Sequence, residues 1–152
     1  TGDPCQSATR LADVSGNPIV IGDMANVGDD VYVLIERDSL YGANAVVKRL
    51  YLIDLDVTDD EGVLKKTLLI DLLNIDDPRD IGGDLPGLAT EKFSMPFDSI
   101  ESVHPLDRHT LAVAIDTNFP GEDGRTKGTP DSTEFIQLRF ERPVQSYAPS
   151  WR

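Results

Sequence analysis

The chain has 152 residues, of which 39% are hydrophobic and 27% charged, ordinary proportions for one globular domain with a single modest core. It carries 27 Asp and Glu against 14 Lys and Arg, a formal net charge of -13. That balance excludes non-specific nucleic-acid binding, which needs a basic face, and docking on an anionic membrane; it leaves many oxygens for a hard cation such as calcium.

In chain order, residues 1–18 are polar and broken by Pro4, Gly16 and Pro18, which predicts an irregular arm. No signal-peptide pattern is visible and the first residue is Thr1, so a cleavage or further upstream chain is expected before it. Cys5 is the single cysteine, either free or paired with a partner molecule. No stretch approaches the ~20 apolar residues that span a membrane as a helix.

Short apolar runs closed by turn residues follow: "VYVLI" (31–35), "VVKRLYLIDL" (46–55), "LKKTLLIDLL" (64–73), "TLAVAI" (110–115) and "EFIQLRF" (134–140). Their β-branched and aromatic content predicts strands, although 66–75 is apolar enough to read as a short helix as well. "VTDDEG" (57–62) predicts a hairpin turn. Its acidic run lacks the Gly and Glu positions of an EF-hand loop. Residues 76–87 and 119–131, rich in Gly, Pro and Asp, predict loops, and 141–152 an irregular tail. The expected division is therefore an arm (1–18), a body (19–140) and a tail (141–152).

The body repeats itself. Laying "IGDMANVGDDVYVLIERD" (21–38) over "IESVHPLDRHTLAVAIDTN" (100–118) sets Ile21 on Ile100. One residue of adjustment then sets Val31, Val33 and Ile35 on Leu111, Val113 and Ile115, and Glu36 on Asp116. Each copy reads as a short strand, a turn, a longer apolar strand, a polar cluster and a Gly-containing loop. "KRLYLIDL" follows the first copy and "TEFIQLRF" the second. Repeated short antiparallel strands predict an all-β fold of β-propeller blades. A closed ring needs four or more blades of roughly 40–50 residues, so two or three blades here predict a partial propeller from a longer protein.

The segments "IGDMANVGDDVYVLIERDSLYGANAVVKRLYLIDL", "KTLLIDLLNI", "FDSIESVHPLDRHTLAVAIDTNFPGEDGR" and "PDSTEFIQLRF" resemble the C-terminal part of the phytase-like family named for an esterase-like activity of phytase. The resemblance runs from about Ile21 to Phe140. It implies a propeller, usually exported, hence a secreted or periplasmic protein. Where that family tends to carry "NDNN", this chain has "AIDTN" (114–118): Asp116 and Asn118 match, and Ile115 and Thr117 depart.

In a propeller, polar residues at the end of an inner strand face the central channel. The candidates are Asp23, Glu36, Arg37, Asp38, Glu101, Asp116, Asn118, Asp131 and Glu134. Carboxylate and amide oxygens suit calcium, so Asp38, Asp116, Asn118 and Glu134 are expected metal ligands. Lys48 and Arg125 are expected to bind the phosphate of a phosphorylated small molecule, with Arg37 stabilising charge on it. Glu36 or Glu101 is expected to orient or deprotonate the attacking water. The competing expectation is a non-catalytic accessory piece, partnered by the remaining propeller segment or another subunit, in which Glu36, Arg37 and Glu134 form strand-locking ion pairs. His104 and His109 lack further nitrogen or sulfur ligands for zinc, and no Gly-x-Ser-x-Gly elbow supports a serine esterase.

Overall fold

The computed structural model describes residues 16–83, 85, 87–118, 125, 127–130 and 132–149. Among them there is no α-helix, and the fold is all-β. Strands β1 (Val20–Gly28), β2 (Val31–Arg37), β3 (Lys48–Thr58) and β4 (Leu64–Asp71) form a four-stranded antiparallel meander in chain order. A small pair, β5 (Ile75–Asp76) and β6 (Lys92–Phe93), links it to a three-stranded meander of β7 (Ile100–Asp107), β8 (Thr110–Ile115) and β9 (Phe135–Arg139). The apolar run at 66–75 is thus a strand and a turn: Asp71 accepts the Leu73 N–H, and Asn74 closes back on the Asp71 carbonyl.

Residues that alternate along each strand meet between the two sheets. Val33, Ile35, Leu50 and Leu52 from the first sheet face Ile100, Val103, Leu111 and Val113 from the second, with Leu72, Met95, Phe97 and Val144 closing the ends. Val144, in a 3₁₀ turn at Val144–Tyr147, is buried, and Phe140 meets Tyr147 edge-on at 5.7 Å. Part of the tail therefore belongs to the core.

The strand-level repeat is visible as β1–β2–β3 against β7–β8–β9. Its alignment needs a correction of one residue. Ile100 pairs with Ile115, whereas Ile21 pairs with Glu36 and Met24 with Leu34, so the irregularity at Gly22–Asp23 lies across from Ile35. A one-residue slip flips every side chain to the other face, which is why Ile21 is exposed and Ile100 fully buried. Both first hairpins carry two register shifts, near the start and near the turn. Gly22 also lets the two sheets touch: a Cβ there would lie 2.4 Å from the Ile100 carbonyl oxygen. Beside it, Asp23 Oδ2 accepts the Val103 N–H at 2.9 Å, tying β1 to β7.

Candidate functional site

The polar residues at the end of β2 do not converge. A strand alternates its side chains, so Arg37 continues the face of Val33 and Ile35 toward β7, and Glu36 points to the opposite face. There Glu36 is buried and accepts from Lys66 Nζ of β4 at 2.5 Å. Lys66 in turn lies 4.5 Å from the Tyr51 ring centre. Glu36, expected to activate water, is instead held in a cross-strand pair away from Arg37.

Asp38 and Lys48 take each other. Both side chains are 0% exposed. Lys48 Nζ donates to the Asp38 carboxylate Oδ1 and to its backbone carbonyl, each at 2.6 Å. The other carboxylate oxygen accepts the Val46 and Val47 N–H groups, and Oδ1 also accepts Leu40 N–H. One carboxylate thereby closes the loop from 39 to 47. Burial opposes ionisation of Asp38, but the Lys48 ammonium and the two amides outweigh it and hold the carboxyl below its usual value. Burial also lowers Lys48, and Asp38 offsets only part of that. Neither the metal role expected of Asp38 nor the substrate role expected of Lys48 fits this arrangement, because no oxygen of the one and no proton of the other faces solvent.

Arg125 and Glu134 are joined as well, through Nη2 to both carboxylate oxygens at 2.7 and 2.9 Å. Arg125 also donates to the Ser94 carbonyl and stacks 5.0 and 4.9 Å from the Phe93 and Phe97 ring centres. These contacts tie Arg125 to the segment 93–97, which begins at the end of β6. Glu134, expected as a metal ligand, and Arg125, expected to bind phosphate, are thus partners of each other. Asp131 and Cys5 lie outside the described residues.

What remains is a seam where β2 ends and β7 begins. Arg37 Nη2 meets Glu101 Oε1 at 2.6 Å, and Nη1 lies 3.6 Å from Asp98 Oδ1. The Arg37 side chain is 11% exposed and Glu101 40%, so the guanidinium is largely sealed and the carboxylate reaches water. Arg37 Nε and Asp98 Oδ1 are buried with no hydrogen-bond partner among the described residues. Buried donors are normally satisfied, so this pair marks unused hydrogen-bonding capacity. Asp116 and Asn118 sit next to the seam at the end of β8. The Asp116 N–H donates to the Ser99 carbonyl, Asp116 Oδ1 accepts Asn118 N–H, and Asn118 Nδ2 donates to Ser99 Oγ at 2.7 Å. Asn118 holds φ 48°, a left-handed conformation that Asn tolerates better than most residues.

Among the described residues, no three His, Cys, Asp or Glu side chains gather closely enough to hold a metal ion. The calcium set expected from sequence is thus dispersed: Asp38 sealed in the first sheet, Glu134 clamped by Arg125, and only Asp116 and Asn118 beside the seam. Asp98, at the seam, and Lys66, which holds Glu36 on the opposite face, are not among the sequence candidates. Asp98 stands two residues before β7 in "FDSIES"; its acidic position near a strand start is the available signal.

A family model described as phytase-like, esterase-like activity of phytase, matches residues 4–119. The chain belongs to this phytase-like family. The match spans both first hairpins and the seam, and ends before β9. Comparison with curated proteins and with solved structures finds no match. No helix among the described residues is long and apolar enough to cross a membrane.

Proposed function

We propose that the chain supplies adjacent blades to an exported phytase-like β-propeller and that phosphoester hydrolysis takes place at the Arg37–Asp98–Glu101 seam. Membership of the phytase-like family supports the reaction class. The observation that carries the location is the ion pair of Arg37 with Glu101, whose carboxylate reaches water at the end of β2, while Arg37 Nε has no hydrogen-bond partner among the described residues. A phosphoryl oxygen arriving at the rim beside Glu101 meets a guanidinium already fixed in orientation, which suits Arg for anion recognition. Glu101, half in water and held 2.6 Å from that guanidinium, is placed to orient or deprotonate a water.

The seam carries one cation and two carboxylates. A phosphodiester with a single negative charge is repelled less there than a dianionic monoester, so diesters are the favoured class. Calcium would add positive charge at the rim, but the described carboxylates do not form a site for it by themselves. Titration calorimetry with calcium measures that directly. The decisive experiment compares turnover of bis(p-nitrophenyl) phosphate and p-nitrophenyl phosphate by the chain and by Arg37→Lys. The reading expects diester turnover that exceeds monoester turnover and drops in the variant, because Lys cannot reproduce the fork.

The second reading is the accessory one, in which the same residues only lock blades together. It is favoured by the way Arg37–Glu101 bridges β2 to β7 beside the Asp23–Val103 tie. Absence of turnover in the wild-type chain, together with lowered stability in Arg37→Lys, selects it. Export, to the periplasm or the medium, is checked by fractionating the native source.

A further inference from the structure

The first hairpin of each sheet shifts its register at the same place, near the start of its first strand. In β7, Ile100 pairs with Ile115 and Ser102 with Ala114, so Glu101 is the extra residue. In β1, Ile21 pairs with Glu36 and Met24 with Leu34, so Gly22 and Asp23 share the place across from Ile35. Each shift thus carries one acid, Asp23 in the first sheet and Glu101 in the second. An extra residue bends the strand and re-aims the side chains around it. Residues three apart in a regular strand take opposite faces, yet Ile100 and Val103 both enter the core. Glu101, between them, reaches Arg37 Nη2 at 2.6 Å.

The two shifts also meet across the sheets. Gly22 packs backbone to backbone on Ile100, where a Cβ would stand 2.4 Å from the carbonyl oxygen. Asp23 Oδ2 accepts the Val103 N–H at 2.9 Å, and Asp23 Oδ1 accepts the Met24 N–H of its own strand at 2.8 Å. One carboxylate oxygen is therefore engaged on each strand, which fixes the direction of the side chain. The contacts on β7 fall at Ile100 and Val103, on either side of Glu101. From the end of β8, Asp116 and Asn118 hold Ser99, ahead of the shift. Asp23 adds a side-chain hold beyond it.

We infer that Asp23 is a positioning residue for the seam: it fixes the register shift of β7 and through that shift holds Glu101 on Arg37. Its effect on turnover rests on the phosphoester reading; its effect on Arg37 does not. Asp23 acts on the backbone that carries Glu101, so its loss leaves both members of the ion pair present and lets their geometry drift.

The test compares Asp23→Ala, which removes both acceptors, with Asp23→Asn, which keeps one oxygen for the Val103 N–H. Turnover of bis(p-nitrophenyl) phosphate is measured for each, alone and combined with Glu101→Gln. Asp23→Ala lowers kcat by about tenfold to 10²-fold, the cost of a small misplacement, and Asp23→Asn recovers most of it. Because Asp23 works through Glu101, adding Asp23→Ala to Glu101→Gln lowers kcat no further. Hydrogen exchange of the Arg37 side-chain Nε–H, followed by NMR, gives a readout that needs no turnover. Asp23→Ala speeds it by at least about tenfold and Asp23→Asn restores it, while the amides of Leu50 and Leu52, buried in the middle of the first sheet, keep their wild-type rates. Asp23→Ser, too short to engage both strands, serves where the alanine variant fails to fold. If the wild-type chain shows no turnover, the phosphoester reading falls and the exchange measurement alone decides the role of Asp23. Three results overturn the inference: Arg37 exchange unchanged in Asp23→Ala, equal acceleration at Arg37, Leu50 and Leu52 as a purely structural tie would give, or kcat losses that multiply in the double variant.

Discussion

Arg37 and Asp38 are neighbours in sequence and opposites in structure. Asp38 is sealed, every oxygen is used, and its partner Lys48 is sealed with it. Arg37 lies on the seam between two sheets, with one donor unused and one partner, Glu101, open to water. The difference follows from the pleat: alternate residues take opposite faces, and only one face of β2 meets β7. Charge in one short stretch can therefore build a loop on one side and a site on the other.

Removing one member of the sealed pair should cost most. Lys48→Met leaves a buried carboxylate without its ammonium and is expected to lower unfolding free energy by about 3–5 kcal/mol in a denaturant titration. The same pair sets an acid limb. The folded-state value of Asp38 is depressed, so its contribution is complete above the unfolded aspartate value, about 3.9, and is lost as pH falls through the lower folded value. Wild type should thus lose stability below about pH 4, and its advantage over Lys48→Met should narrow there, as read from thermal unfolding across pH. A constant gap from pH 7 to pH 2 would break the assignment.

Gly22→Ala tests the contact between the sheets. Its Cβ would stand 2.4 Å from backbone, which cannot swing aside as a side chain can, and about 1–3 kcal/mol is expected from the forced shift. Glu101→Gln should cost least in stability, within about 1 kcal/mol, because Glu101 is substantially hydrated. If Glu101→Gln destabilises as much as Lys48→Met, the seam is scaffold and the contrast between the two regions disappears.

Much of this architecture was legible in the chain. β-branched and aromatic runs marked β2, β3, β4, β8 and β9, and the internal repeat located β1 and β7. The turn at 57–62 followed from its Asp and Gly: Asp59 Oδ1 accepts the Glu61 and Val63 amides. Pairing was not legible. Whether Lys48 serves substrate or Asp38 depends on loop closure across ten residues, and whether Glu36 meets Arg37 or Lys66 depends on which face packs. The one-residue offset between Ile21 and Gly22 has the same origin, since register shifts leave no local signature in the residues that carry them.

The most direct measurement is the kcat for bis(p-nitrophenyl) phosphate of wild type against Glu101→Gln, with both proteins shown to be equally folded. The account predicts wild-type turnover and a fall of about 10²–10⁴ in the variant, the usual contribution of a positioned acid–base group. Equal turnover in the two proteins, or none in wild type, would contradict it.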